Sequence, residues 1–316
     1  MPDWNAVLKE IAVEQVGRTE SAFDFVRRRY LKSLVDHTGR NVIAYYSGFL
    51  SKPRLEGTEI TDDDKNGFML CIHELDRSKG LDLILHTPGG SIAATESLVV
   101  YLREMFGDDI RAVVPQIAMS AGTMIACACK QIVMGKHSSL GPVDPHLGGI
   151  PAVGVLEEIK KAYGQIKDDP VYAEVWRPIL SRLTPSFVQQ CEWAVERSKS
   201  FVKEALEANM FKAVPVARRT QKAEVVRDRL TDLTQNKGHD RHFHFQDCRA
   251  MGLRVMALET DPLLQDLVLT IHHSYMHTLG NTAAMKVIEN QLGKAVVKNQ
   301  QLNLVPQLSL ASGGPS

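Results

Sequence analysis

Two short segments bring together residue types suited to nucleophilic attack on a carbonyl. The first is LILHTPGGS, residues 83–91: an apolar run that reads as a strand buried on both faces, then Pro88-Gly89-Gly90, then Ser91 at a helix start. Two glycines at the C-terminal end of a strand let backbone N–H groups turn toward a ligand, and the helix N-terminus adds the positive end of its dipole. Donors of this kind hold the oxyanion of a tetrahedral intermediate. The same residues also fit an ordinary helix-capping turn. The second segment is VVPQIAMSAGTMIACAC, residues 113–129. A strand ends here, and Ser120 stands among Ala118, Ala121 and Gly122 as a helix begins. Small neighbours leave room around the hydroxyl. This is the strand–turn–helix setting of an exposed nucleophilic serine, without the G-x-S-x-G pattern. It fits equally well a serine that only caps a helix.

These segments need a sheet to hold them. NVIAYYSGFL, beginning at Asn41, is apolar and β-branched, and residues 81–86, 110–114 and 131–134 read as further strands. Between them, residues 62–76, 92–106 and 120–130 have helical periodicity. Strands alternating with helices at this spacing specify βαβ units, hence an α/β fold with a parallel sheet. Residues 1–40 read as two N-terminal helices, the first capped by Asp3. The run Arg27-Arg28-Arg29 in the second reads as a solvated face. Residues from 151 to about 235 read as a helical insertion, and 236–256 as a histidine-rich stretch with a short apolar tail. Residues 257–300 read as C-terminal helices beginning at Asp261-Pro262, and 301–316 as a disordered tail.

Composition narrows the function. The 316 residues are 44% hydrophobic and 23% charged, with 37 basic and 37 acidic side chains and no net charge. That excludes the basic footprint of a nucleic-acid binder and argues against a protein held on anionic lipid by charge. No apolar run is long enough for a membrane span, and the opening MPDWNAVLKE lacks the pattern of a signal peptide. The five cysteines (Cys71, Cys127, Cys129, Cys191 and Cys248) form no C-x-x-C and read as reduced core thiols, so a cytoplasmic location is expected. His239, His242 and His244, with Asp240 and Asp247, read as a polar loop. His273 and His277 lie at i, i+4 but lack H-E-x-x-H, so no metal is expected.

Taken together, HTPGGS (86–91), AMSAGT (118–123) and SSLGPVDP (138–145) resemble the Clp/crotonase fold. Within it they look most like the family called serine dehydrogenase proteinases, the SDH type, akin to the ClpP and SppA peptidases. The specific match covers about 81–149. A weaker likeness runs from 41 to 256, where DCRAMGLRV (247–255) resembles the segment that closes that fold. The resemblance implies stacked ββα units in a peptidase domain over 41–256, with helical extensions at both ends. It implies an ATP-independent serine peptidase without cofactor, acting on peptides or unfolded protein as a closed homo-oligomer.

Carried onto this chain, the resemblance places Ser120 on the nucleophile. It places the amides of Gly90, with Gly89 beside it, and of Ala121 on the oxyanion hole. The general base departs from the ClpP pattern, because Asp144 stands where ClpP has its histidine, and His146 follows two residues on. SppA-type peptidases use a lysine forty to fifty residues after the serine, which falls on VLEEIKKAYG (155–164). Adjacent helical residues point about 100° apart, so Lys160 and Lys161 cannot both serve. The resemblance favours Lys161, then Lys160, with Asp144 and His146 in support. Two other classes stay open: a non-catalytic interaction protein on the same fold, and a crotonase-type acyl-CoA enzyme. An active-site serine label and acyl-CoA binding would separate them.

Overall fold

A computed structural model describes residues 3–53, 55–232, 238 and 240–300. Two helices come first, α1 (Trp4–Gln15) and α2 (Ala22–Thr38). Asp3 caps the first by accepting the Asn5 amide at 3.1 Å. β1 (Asn41–Ser47) leads through α3 (Asp64–Ile72) to β2 (Leu81–His86), and α4 (Ile92–Phe106) leads on to β3 (Ile110–Val114). The short β4 (Ile117–Ala118) and α5 (Ala121–Cys127) then lead to β5 (Gln131–Met134). β1, β2, β3 and β5 pair in parallel, in that spatial order. β1 and β2 are buried along their whole length, which is why both read as continuous apolar runs rather than as alternation.

β6 (Ser139–Leu140) and the hairpin β7 (His146–Leu147) and β8 (Ile150–Pro151) precede the helical insertion. That insertion comprises α6 (Ala152–Asp168), α7 (Tyr172–Leu180), α8 (Pro185–Ala205) and α9 (Val216–Thr231). β9 (Phe243–His244) and α10 (Phe245–Met251) then lead to β10 (Val255–Ala257), which joins β5 in parallel at one edge of the sheet. Among the described residues no helix is long and apolar enough to cross a membrane. The tail expected over 301–316 and His239 lie outside the described residues.

The C-terminal part differs from expectation. α11 (Pro262–Asn281) starts as anticipated, with Asp261 accepting the Leu264 amide at 3.0 Å. The chain beyond it is not helical but an antiparallel hairpin, β11 (Ala284–Asn290) and β12 (Ala295–Asn299). β11 pairs antiparallel with β1, so the hairpin completes a seven-stranded sheet in the order β10-β5-β3-β2-β1-β11-β12. The local chemistry favours this: Val287, Ile288, Val296 and Val297 flank a turn in which Asn290 Oδ1 accepts the Leu292 and Lys294 amides and Gly293 takes φ +79°. β11 is buried throughout, but its Lys286, Glu289 and Asn290 interrupt the apolar run that marks β1 and β2, so its pattern does not separate strand from helix.

Successive residues of β1 feed two cores. Ile43 and Tyr45 join the layer that includes Phe68, Leu98 and Ile125, while Val42, Ala44 and Tyr46 pack with Leu34 and Ile271 on the opposite face. The second layer carries a buried ion pair. Arg27 of α2 is fully buried rather than solvated, and its Nε lies 2.9 Å from Glu289 Oε2 of β11. Thr278 and Tyr275 of α11 bond the same pair. α2, the last helix and the hairpin therefore lock through one buried ion pair, which Asp24 extends at Arg27 and Arg28 at Glu289.

His86 ends β2 wholly buried, its ring 5.4 Å from Tyr46, 5.0 Å from Phe49 and 5.3 Å from His272. Neither ring nitrogen bonds a described residue, and burial pushes its pKa down to about 3. An unfolded histidine titrates near about 6.5, so below that pH the unfolded chain takes up a proton that the folded chain refuses. This contribution to stability is complete above about pH 6.5 and is lost as the pH falls toward 3. His86→Phe keeps the ring contacts and abolishes the titration. Melting temperatures followed from about pH 8 to 4 should decline less steeply for the variant than for the native chain. Parallel declines would clear His86 of any part in the acid sensitivity.

Candidate active site

The two chemistry-bearing segments meet because β2 and β3 are neighbours in the sheet. Their pairing continues past the strand ends: the Thr87 amide donates to the Ile117 carbonyl at 3.2 Å, and the Met119 amide to the Thr87 carbonyl at 3.0 Å. This brings Gly89 against Ser120. Gly89 has φ +105°, and a Cβ there would lie 2.7 Å from Ser120 Cβ. Gly90 has φ +153°, and a Cβ there would lie 2.3 Å from the Ile60 nitrogen. Neither position admits a side chain. Gly122 serves a similar need, since a Cβ there would press on Thr87 Cγ2 at 2.6 Å.

Ser120 is the one non-glycine residue with positive φ among the described residues, at φ 48°, ψ −114°. A side-chain-bearing residue held there stores roughly 1–3 kcal/mol of strain. The residue stands at the start of α5, yet its side chain makes no capping hydrogen bond. That separates it from Ser91, whose Oγ does cap α4 by accepting the Ala94 amide at 3.3 Å. The capping reading therefore holds for Ser91 and fails for Ser120.

The amides around Ser120 divide into held and unheld. The Gly89 N–H donates to Thr87 Oγ1 at 3.1 Å, and the Gly89 carbonyl accepts the Ile60 amide at 2.7 Å. The Gly90 and Ala121 amides donate to no described residue. Ala121 opens α5, where a helix leaves its first amides without partners. The carbonyl and N–H of a trans peptide point in opposite directions, so the Gly90 N–H faces away from Ile60. Two amide donors and a strained serine thus belong to loops in direct contact, which is what stabilising an oxyanion requires.

A cleft of about 600 Å3 opens over Ser120. Residues 88–92 and 143–147 line it, with Met124 one helical turn beyond the serine and Trp193 and Arg197 from α8. Asp144 is buried, and His146 Nε2 lies 3.1 Å from Asp144 Oδ2. An imidazole that gives its Nε2–H to a carboxylate is held by it in one tautomer and orientation. The insertion helices seat this loop: the Val143 amide donates to the Leu230 carbonyl at 2.8 Å, and Ser198 Oγ to the Val143 carbonyl at 3.3 Å.

Ser120, Gly89, Gly90, Asp144 and His146 therefore share one cleft, with Ala121 buried beside the serine. Lys160 and Lys161 do not join them. Both are exposed on α6, and Lys160 Nζ lies 3.7 Å from Glu157. α6 instead buries Ala152, Val155 and Ala162, which leaves the lysines on its outer side. His137 lies outside the cleft, with Nε2 3.0 Å from the Pro115 carbonyl, and His242 meets Ser139 Oγ at 2.7 Å. His273 and His277 pack around the Trp4 ring. Ile60, Trp193 and Arg197 escaped the sequence reading, because nothing local marks a residue that reaches a site from a distant part of the chain.

The model of the ClpP-like SDH-type serine proteinases matches residues 19–257 of this chain. Over 110 residues the chain is 36% identical to the uncharacterized protein MJ0137 and 34% to the uncharacterized protein MJ1495, both of Methanocaldococcus jannaschii. Each match covers 35% of this chain, and 38% and 37% of those two proteins respectively, well under two thirds of their length. The sheet order, the glycine pair against a strained serine and the extent of the family match agree: the chain belongs to the ClpP-like SDH-type serine proteinases.

Proposed function

We propose that the chain is an ATP-independent serine peptidase that cleaves peptides or unfolded protein, with Ser120 as nucleophile. The observation that carries this reading is the strained, non-capping Ser120 beside two undonated amides. Ser120 Oγ attacks the peptide carbonyl carbon and gives up its proton to a base. The Gly90 and Ala121 amides hold the negative oxygen that results. Collapse expels the amine, which takes the proton from the base, and water repeats the sequence on the acyl-enzyme. The cysteines offer no rival nucleophile: all five are buried, and burial pushes the Cys71 and Cys129 thiols up to about 12.

For the base, the cleft favours His146 over Lys161. Asp144 can orient the imidazole and stabilise its cation, as a triad carboxylate does. A lysine must be desolvated to act as base near neutrality, and an exposed helix face does not desolvate it. The closed homo-oligomer is part of the same proposal. α7 buries no residue, and Tyr172, Val175 and Ile179 leave an exposed apolar stripe along it that a second copy would cover. The cytoplasm, where all five thiols stay reduced, is the expected compartment.

Ser120→Ala should abolish both fluorophosphonate labelling and casein hydrolysis. Its melting temperature should stay close to native, since no cap is lost. Ser120→Gly should be equally inactive yet melt higher than Ser120→Ala, because glycine accepts this φ without strain. Retained turnover in either variant would remove Ser120 from the chemistry. His146→Ala should lower turnover at least about a hundredfold, while Lys161→Ala and Lys160→Ala change it little. The opposite ranking, measured on purified variants with native circular dichroism, would restore a Ser-Lys dyad.

A further inference from the structure

Beneath the 88–91 loop lies a buried cluster of polar side chains, none of which lines the cleft, although Glu59, whose carbonyl one of them binds, does. The centre of the cluster is Asp64 of α3, 1% exposed and paired with Lys286 Nζ of β11 at 2.9 Å and Lys298 Nζ of β12 at 2.8 Å. Burying a carboxylate and an ammonium at this depth is unfavourable unless their remaining hydrogen-bonding capacity is used. It is used on the loop, through two arms.

The first arm runs over Ile60. The Thr61 amide donates to Asp64 Oδ2 at 3.0 Å, and Lys286 Nζ donates to the Glu59 carbonyl at 2.6 Å. Ile60 is thereby held on both sides. In turn its N–H donates to the Gly89 carbonyl at 2.7 Å, and its carbonyl accepts the Ser91 amide at 2.9 Å. The second arm runs under the loop. The Tyr45 hydroxyl donates to Asp64 Oδ2 at 2.8 Å, and the Thr87 hydroxyl stands beside the Tyr45 oxygen. Thr87 Oγ1 accepts the Gly89 amide at 3.1 Å. Tyr45 and Thr87 are as buried as Asp64.

Two consecutive glycines are the softest backbone a chain can offer, and they have no side chains by which to be held. Here one arm fixes the Pro88–Gly89 peptide through its N–H, and the other fixes the Gly89–Gly90 peptide through its carbonyl. The donor left over is the Gly90 N–H, whose direction follows from the second peptide. An oxyanion donor acts by being aimed before the reaction, not by strength alone.

We propose that Asp64, Lys286, Tyr45 and Thr87 are positioning residues that aim the Gly90 amide into the oxyanion hole from outside the cleft. This rests on the serine peptidase reading. The test is the rate of Ser120 phosphonylation by an alkyl fluorophosphonate, resolved into kinact and KI, because the oxygen of that reaction occupies the same hole. Thr87→Val keeps the side-chain shape and removes the acceptor. It should lower kinact about ten- to a hundredfold, the scale of a misaimed or lost oxyanion donor, with KI changed less than about twofold. Thr87→Ser keeps the oxygen and should recover most of the rate. Lys286→Met should lower kinact in the same way; if it does not fold, Tyr45→Phe, which keeps the ring stacked on Phe68 and removes only the hydroxyl that donates to Asp64, should do so, and native kinact there removes Tyr45 and Asp64 from the role. A loss confined to thermal stability, native kinact in Thr87→Val, or an effect carried wholly by KI overturns the proposal. A native chain that the probe does not label overturns the peptidase reading, and the positioning role falls with it.

Discussion

The site depends on one close approach, the backbone of Gly89 lying against Ser120 with no room for a Cβ between them. The sheet order forces this contact. β2 and β3 run parallel as neighbours, so their C-terminal ends emerge side by side, and the Thr87–Ala118 bridge carries the pairing beyond the sheet. Parallel sheets present their loops and helix starts at that end, which is where ligands collect in open α/β folds. Once the two loops touch, the other local features follow. Gly89 and Gly90 are required by contact, Gly122 makes way for Thr87, and Ser120 is bent into a conformation that a helix cap would not need.

Around this contact the chain divides its labour. The βαβ steps build the floor, with the serine and the amide donors. The insertion contributes the opposite wall, since the Asp144–His146 loop is anchored to α8 and α9 rather than to the sheet. A helical insertion far larger than a cleft wall requires is then understandable. It holds a short irregular loop whose backbone groups would otherwise lack partners.

The termini are tied to the same centre from the other direction. The family match ends at 257, yet the hairpin of β11 and β12 pairs with β1 and delivers Lys286 and Lys298 to Asp64. The far side of the same hairpin carries Glu289 to Arg27. One strand, β11, thus places a buried cation in one core and a buried carboxylate in the other. Both charges are compensated by groups distant in sequence, which ties this strand's register to both layers.

Local pattern was enough for part of this. Turn chemistry and periodicity act over a few residues, so β1, β2, β3 and β5, the glycine turn and the place of Ser120 at a helix start were legible from their own neighbourhoods. The fully buried β11 was not, because its buried Lys286, Glu289 and Asn290 break the continuous apolar run by which the equally covered β1 and β2 are recognised. Neither was the outward face of Lys160 and Lys161, since their helix presents both charged and apolar residues and only Cys191, Val195 and their neighbours decide which side is covered. Whether a histidine or a lysine lies in the cleft turns on where residues 143–147 run relative to α5. Hydrogen bonds from Val143 to Leu230 and from Ser198 to Val143 set that path, between residues far apart in the chain. Residue types and their short spacings are written in sequence. Which distant backbone meets which is fixed only when the layers pack, because that packing selects among helix faces and loop paths that the local energies leave nearly equal.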